Sequence, residues 1–472
     1  MIYLLICLFV LLMEFVSFYF VKTYQLCGYS IVQFWKNCLD FSLSNGDKNN
    51  LKLTKRLCRF EILYVVISFF LFFAVFFLIS SPFLIILDLI CVFVLIPVWI
   101  SVAHILLLPI EKIIRFFYIV KAKRKLGKKK IIKIAITGSF GKTSVKNILS
   151  QLLASKYKVC QTPKSYNTEM GLTLTILNDL DDHDVFIAEM GARKRKDIEK
   201  LAKIVQPTHG IITPIGQCHL QSFKTIGNIE QTKFELAQNI CENGQMFFCG
   251  ENESCKKLYH RFCGNKRLIG GQGSFCYAKN ILYSCHGSKF DLVLDGKVLN
   301  VSTKLLGEIN VQNIVLASAV AFSLGVEGED LCKAIKNLSQ TPHRLELVQT
   351  EFCTILDDSY NSNEEGFNQA LEVLSMFEGR KIVVTPGMVE LGNTQSEKNF
   401  QLGCKIAESC DYLIIMNNVN KNALLSGAIS HNFKKENIYF AQSRLEQKEL
   451  IKLLSCKNCV ILFENDLPDN YQ

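Results

Sequence analysis

The stretch that most narrows the possible folds is "IIKIAITGSFGKTSVKNIL", residues 131 to 149. Ile131 to Thr137 is a short β-branched run suited to a buried strand, and Ser144 to Tyr157 has apolar residues at helical spacing. Between them G-x-x-G-K-T, Gly138 to Thr143, has to turn a strand into a helix within a few residues. That geometry belongs to an α/β sheet, whose helix N-termini and loop N–H groups gather at one edge. Gly138 and Gly141 let backbone N–H groups approach phosphate oxygens, Lys142 reaches toward the terminal phosphates, and Thr143 offers a hydroxyl to Mg²⁺. The loop reads as an ATP site. A full Walker pattern has a further glycine where this chain has Ile136, so an ordinary glycine-rich turn stays open until other residues decide.

Three later positions bear on that choice. "DVFIAEMGARKRKDI" puts Glu189 at the end of a second apolar strand, where a carboxylate can reach a nucleotide-bound metal. "GIITPIGQCHL" closes a third short strand with His219, and "EQTKFEL" carries Lys233. A lone His or Lys is usually solvated surface; in this order behind a phosphate loop the three form a set.

Charge and hydropathy are unevenly spread. Hydrophobic residues are 49% of the chain and charged ones 20%, yet nearly all long apolar runs precede residue 111. Residues 1 to 20 carry one charge, Glu14, and lack the basic start and cleavage site of a signal peptide. Ile62 to Ile79 is a second run of spanning length, Phe83 to Ile110 a third with Asp88 as its acid, and Ser80 to Pro82 reads as the hairpin between them. Seven Lys or Arg residues lie between the first two runs, and nine with one acid lie from Glu111 to Lys130. Positive loops stay inside, so three spans with an outer N-terminus are expected in a bacterial inner membrane, with everything after them cytoplasmic. Pro97 or Pro109 is expected to mark a kink or an interfacial stretch. Buried core helices are the alternative. The clustered basicity, which accounts for most of the net charge of +10, argues against a nucleic-acid partner. Nineteen mostly isolated cysteines argue for a reducing compartment, and Cys456 and Cys459 in "SCKNC" lack the second pair of a zinc site.

With these residues in view, the sequence resembles the Mur ligase family of ATP-dependent amide-forming enzymes, in particular its D-alanyl-D-alanine-adding (MurF) type. "TGSFGKTS", Thr137 to Ser144 with Ser139 inside it, resembles the family's nucleotide loop, and "EMGA", "GQCHL" and "TKFEL" match its metal glutamate (Glu189), metal histidine (His219) and carbamylated lysine (Lys233). "GEINVQN" looks like the adenine-side segment with Asn310 and Asn313, and "PHRLE" like the segment carrying a phosphate-contacting arginine, Arg344. "LDDSYNSN" resembles the MurF-type element with Asp358, Tyr360, Asn361 and Asn363, and "KSYNTEMGL" the substrate-side loop with Asn167 and Thr168.

The resemblance implies a mechanism and its cofactors. ATP phosphorylates a substrate carboxylate, and an amine then displaces phosphate from the acyl phosphate. Lys142 would act on the phosphoryl group, Thr143 and Glu189 would hold one Mg²⁺, and His219 with carbamylated Lys233 a second. Arg344 and Asp358 would close over the nucleotide from the last domain. The implied fold is α/β: a helical transmembrane module at 1–127 with "KLGKKK" as tether, a central P-loop ATPase domain at 128–340, and a Rossmann-like α/β domain at 341–472. The expected partners are a cell-envelope precursor carboxylate and an amino acid or dipeptide amine; no protein partner can be read from the chain.

Two departures concern the substrate. Apolar runs occupy the place of the family's UDP-gripping domain, and "TPGMVELG" has Pro386 and Gly387 where Gly and Asp are expected. The acyl group is therefore either a muramoyl-tripeptide peptidoglycan precursor or, in a paralogue, another envelope polymer such as a capsule sugar acid or polyglutamate. A transporter or sensor driven by a P-loop ATPase is disfavoured, because no ABC-type signature and only three expected spans are visible.

Overall fold

A computed structural model describes residues 17–39, 53–78, 95–218, 220–360 and 363–466. The chain divides into two compact units, one up to Phe117 and one from Tyr118 to Leu467.

In the first unit, helices Ile31–Leu39, Lys55–Leu78 and the start of Ile96–Gly127 enclose a core that includes Tyr24, Phe34, Phe60 and Ile100. Arg59 donates from Nε (2.8 Å) and from a terminal nitrogen (2.7 Å) to Glu111 Oε1. Most of the expected first span, the Ser80–Pro82 hairpin and the start of the third span lie outside the described residues. The second falls within Lys55–Leu78 up to its last residue. Among the described residues, Ile96–Gly127 is the helix long and apolar enough, by length and composition, to cross a membrane. Pro97 sits in its first turn, where no backbone N–H is required, and the helix runs on through Pro109. Its last turns belong to the second unit: Ala122 and Leu126 are buried there, and Lys125 Nζ donates to Leu177 O (2.9 Å) and Asp181 (3.0 Å). The stretch expected to be a tether is thus helical as far as Gly127 and docked through Lys125 and Leu126.

The second unit holds two sheets. The first contains β1 (Ile132–Thr137), β2 (Val159–Gln161), β3 (Val185–Glu189), β4 (His209–Ile212), β5 (Gln245–Cys249), β6 (Asn265–Ile269), β7 (Cys276–Ser284), β8 (Gly287–Leu294) and β9 (Lys297–Thr303). Their order is β2-β3-β1-β4-β5-β6-β7-β8-β9, parallel as far as β7, with β7 to β9 antiparallel. Strand alternation divides the core. Ile134, Ile136, Val185 and Ile187 face helices Lys142–Leu153 and Gly307–Ser323, whereas Ala135, Phe186 and Ala188 face Glu169–Asn178, Asp197–Val205 and Ile226–Gln238.

The second sheet contains β10 (Glu346–Gln349), β11 (Cys353–Asp358), β12 (Arg380–Thr385), β13 (Tyr412–Met416), β14 (Ile438–Ala441) and β15 (Cys459–Glu464). Their order is β10-β11-β15-β12-β13-β14, parallel except for the edge strand β10. It too is covered on both faces, with Val383 and Leu413 on one side and Ile382 and Ile414 on the other.

Candidate active site

The site forms at the carboxyl edge of the first sheet. The chain leaves β1 and crosses to β2, while β3 and β4 pair on either side of β1, so a crevice opens where the strand order switches. In register Ile136 lies beside Glu189 and Thr137 beside Ile212, which brings the loop and the acid together.

Close approach explains the first loop glycine. Gly138 has φ +152°, and a Cβ there would sit 2.0 Å from Thr213 Oγ1 and 2.7 Å from its carbonyl oxygen. Gly141, at φ +73°, would meet Asn313 Oδ1 at 2.7 Å. The hydroxyls of Thr137 and Ser139 are used locally, donating to Met190 O (3.0 Å) and Gly216 O (3.1 Å), and Ser144 is buried in the helix. Lys142 Nζ folds back onto the carbonyls of Gly138 (3.0 Å) and Ser139 (2.9 Å). Burial lowers its pKa first; Glu189 and Cys218 oppose that, and the Arg344 charge adds to it.

Glu189 is 1% exposed and bonded on both oxygens. Oε2 accepts from Thr143 Oγ1 (2.9 Å) and from Lys146 Nζ (3.3 Å), and Oε1 from Asn167 Nδ2 (3.1 Å). A carboxylate beside a hydroxyl next to a phosphate loop is a hard-oxygen set that fits Mg²⁺. The sequence reading missed Lys146. Its signal was present as a lysine four residues after Lys142, hence on the same helix face, in a helix otherwise read as apolar spacing.

Lys233, on Ile226–Gln238, is 3% exposed, and burial with the Lys142 charge pulls its pKa down to about 7. His219 lies outside the described residues, as does Asn361.

The second domain supplies Arg344, whose guanidinium stands 4.1 Å over the Tyr360 ring. Tyr360 bonds Ser165 in the loop that carries Asn167. Asp358 accepts from Leu345 N (3.1 Å), and burial raises its pKa to about 6 against the opposing pull of Arg344. Between the domains a small open cavity is lined by residues including Phe140, Gly141, Gln312, Asn313, Asn363 and Glu365. Asn313 is part of that lining, with its side-chain oxygen against Gly141 of the loop. Asn310 is not in that lining; its amide bonds Leu306 O (2.9 Å), one turn back. Asn363 and Thr168, expected on the substrate, cap helices, accepting from Gly366 N (3.0 Å) and Gly171 N (3.3 Å); Asn363 also faces the cavity.

A phosphate loop on a switch-point crevice, an acid against its threonine, and a second Rossmann-like domain meeting it across a cavity define an ATP-dependent enzyme of two α/β domains. Residues 136–321 match the Mur ligase middle domain, and residues 343–463 the Mur ligase glutamate ligase domain. The chain belongs to the Mur ligase family, whose members are ATP- and Mg²⁺-dependent acid–amino-acid ligases. It is 31% identical over 332 residues to the UDP-N-acetylmuramoyl-tripeptide--D-alanyl-D-alanine ligase of Buchnera aphidicola subsp. Baizongia pistaciae, covering 70% of this chain and 71% of that one. The Bacillus subtilis ligase of the same name is 27% identical, over 70% of this chain and 72% of its own. Among solved structures, the MurF ligase of Thermotoga maritima in complex with ADP superimposes with a TM-score of 0.67 at 27% identity, covering 75% of this chain and 80% of that one.

Proposed function

We propose that the chain joins D-alanyl-D-alanine to a muramoyl-tripeptide peptidoglycan precursor by way of an acyl phosphate. The observation that carries this reading is that relatives bearing that activity in their names match 70% of the chain, with MurF structures superimposing on both α/β domains.

A carboxylate is a poor electrophile in water, so its oxygen must first attack the γ-phosphorus of ATP, breaking the bond to ADP. The amine then attacks the acyl carbon, phosphate leaves, and the amine loses a proton. Negative charge builds on the phosphoryl oxygens in the first step, and Lys142 and Arg344 are the cations expected to meet it. Thr143 and Glu189 would hold Mg²⁺, which when bound draws charge off those oxygens. His219 and Lys233 are the proposed ligands of a second ion. A pKa near 7 supports carbamylation of Lys233, since only the neutral amine adds CO₂, losing a proton to become an anion. Asn167 is the proposed contact to the acyl substrate, and Thr168, Tyr360, Asn361 and Asn363 are the other residues proposed to bind it.

We read residues 1–127 as a multi-pass module of a bacterial inner membrane with the ligase domains cytoplasmic. Ile105, Leu106, Ile110, Ile113, Phe116 and Phe117 are all exposed on one long apolar helix that leads into a basic stretch, which supports this. A reporter fused after Lys130 should behave as cytoplasmic, and a periplasmic signal would overturn the topology.

The test of the reaction is phosphate release by the detergent-solubilised chain from ATP, UDP-linked muramoyl-tripeptide and D-alanyl-D-alanine. Release needing all three and lost in Lys142→Ala is expected; substrate-independent release that survives Lys142→Ala sinks the reading. Family matches begin at residue 136, so the part that grips the far end of the substrate lies outside them, which keeps another envelope acyl group as the second reading. Cells lacking the protein should accumulate the UDP-linked tripeptide under the first reading only.

A further inference from the structure

Lys146 is 1% exposed and lies one turn beyond Lys142 on the helix that starts at the phosphate loop. Its ammonium donates to Glu189 Oε2 at 3.3 Å and, by a short bond, to the carbonyl of Lys164. Lys164 holds a left-handed backbone, φ +48°, a conformation uncommon for a residue with a side chain. Two residues on, the same loop carries Tyr166 and then Asn167, whose amide reaches the other oxygen of Glu189 at 3.1 Å and whose carbonyl accepts from Gly191 N at 3.0 Å. Ser165 in between bonds the Tyr360 hydroxyl, and Tyr360 lies under Arg344. One ammonium therefore joins the acid beside the phosphate loop to the 164–168 loop, and Ser165 joins that loop to Tyr360 of the second domain.

A buried ion pair generally gives no advantage over a well-packed apolar pair. We propose that Lys146 is a positioning residue: it holds the Glu189 carboxylate and the loop for the acyl substrate in one frame, and it competes with the divalent cation for Glu189 Oε2. The proposal rests on the reading of Glu189 as the Mg²⁺ carboxylate and of the 164–168 loop as the acyl-substrate side.

Its consequence is a split that general damage does not produce. Without the ammonium, a divalent cation has no competitor for Glu189 Oε2 and half-saturates the site at a lower concentration, while the loop loses an anchor and receives the carboxylate substrate less well. The experiment uses the full chain in detergent with Lys146→Met and Lys146→Gln. The glutamine variant keeps an N–H donor for the Lys164 carbonyl without the charge, and it serves alone where the methionine variant does not fold.

Hydrogen exchange in metal-free, nucleotide-free protein comes first. Amides 164–168 should exchange about tenfold faster in Lys146→Met, as expected for the loss of one charge-assisted hydrogen bond, and less so in Lys146→Gln, with β1 and β3 as protected as in wild type. In the ligase assay, half-saturation by Mg²⁺ should fall about threefold in both variants, while KM for the muramoyl-tripeptide rises about tenfold in Lys146→Met and kcat changes less. Unchanged loop exchange, both constants within about twofold of wild type, or both constants worsening together would each overturn the proposal. A wild-type chain inactive with the tripeptide refutes the proposed function instead, and the exchange arm then decides the tie by itself.

Discussion

Lys233→Met should make the protein more stable and inactive. The side chain is 3% exposed, and its pKa is pulled from 10.5 to about 7 by burial and by the Lys142 charge. A tenfold change in proton affinity is about 1.4 kcal/mol, so at pH 7 the folded state carries a penalty on the order of 4 kcal/mol relative to the unfolded chain. The penalty is complete below about pH 7, where both states are protonated. It fades as the pH rises toward 10.5, because the folded amine is then neutral while the unfolded one is still charged. Methionine removes the titration at nearly the same volume, and relaxation around the amine reduces the gain to about 2–4 kcal/mol at pH 7. The assay is urea denaturation of the detergent-solubilised protein, read by pulse proteolysis of the ligase domains, in CO₂-depleted and metal-free buffer at pH 7 and 9.5. The advantage of Lys233→Met should shrink on the order of 3 kcal/mol between those pH values. A variant less stable than wild type at pH 7, or a gap independent of pH, would refute the reasoning.

Two other outcomes follow from the same geometry. Gly138→Ala should lower ATP affinity at least about tenfold and cost about 1–3 kcal/mol in a denaturation titration, because its Cβ would lie 2.0 Å from Thr213 Oγ1 at φ +152°; wild-type affinity would show that the loop yields. Asp358, with its pKa raised to about 6, should lose its charge as the pH falls from 7 to 5, and ATP affinity should fall with it. Burying that charge costs stability above about pH 6, and the cost is relieved as the pH falls from there toward 3.8, so the affinity loss is not unfolding at this group. Asp358→Asn should bind ATP weakly and without this pH dependence, as equilibrium binding at both pH values would reveal.

Much of the site was legible in the chain because its signals are local. The β-branched run, the two glycines and the helical spacing define a strand, a loop and a helix without any distant contact, and the structure has them at Ile132–Thr137 and Lys142–Leu153. The apolar runs at Cys353, Lys381, Tyr412 and Val460 became β11, β12, β13 and β15 for the same reason. The antiparallel β7 to β9 were not legible: β8 is largely buried because it is paired between two neighbours, whereas β7 and β9 are mostly exposed or half-buried.

Residue types and their order along the chain thus determined the phosphate loop, the acid at the end of β3 and two α/β domains. Tertiary structure decided which of these touch. Strand order set Glu189 beside Ile136 and so against Thr143 and Lys146, residues 46 and 43 positions away in the chain. Folding also brought Tyr360 to Ser165 across 195 positions and turned Asn313, rather than Asn310, into the cavity. The physical reason is that spacing specifies which face of its own element a side chain occupies, whereas its partner depends on which elements lie next to each other, and that is settled only when the sheets assemble and bury their apolar faces.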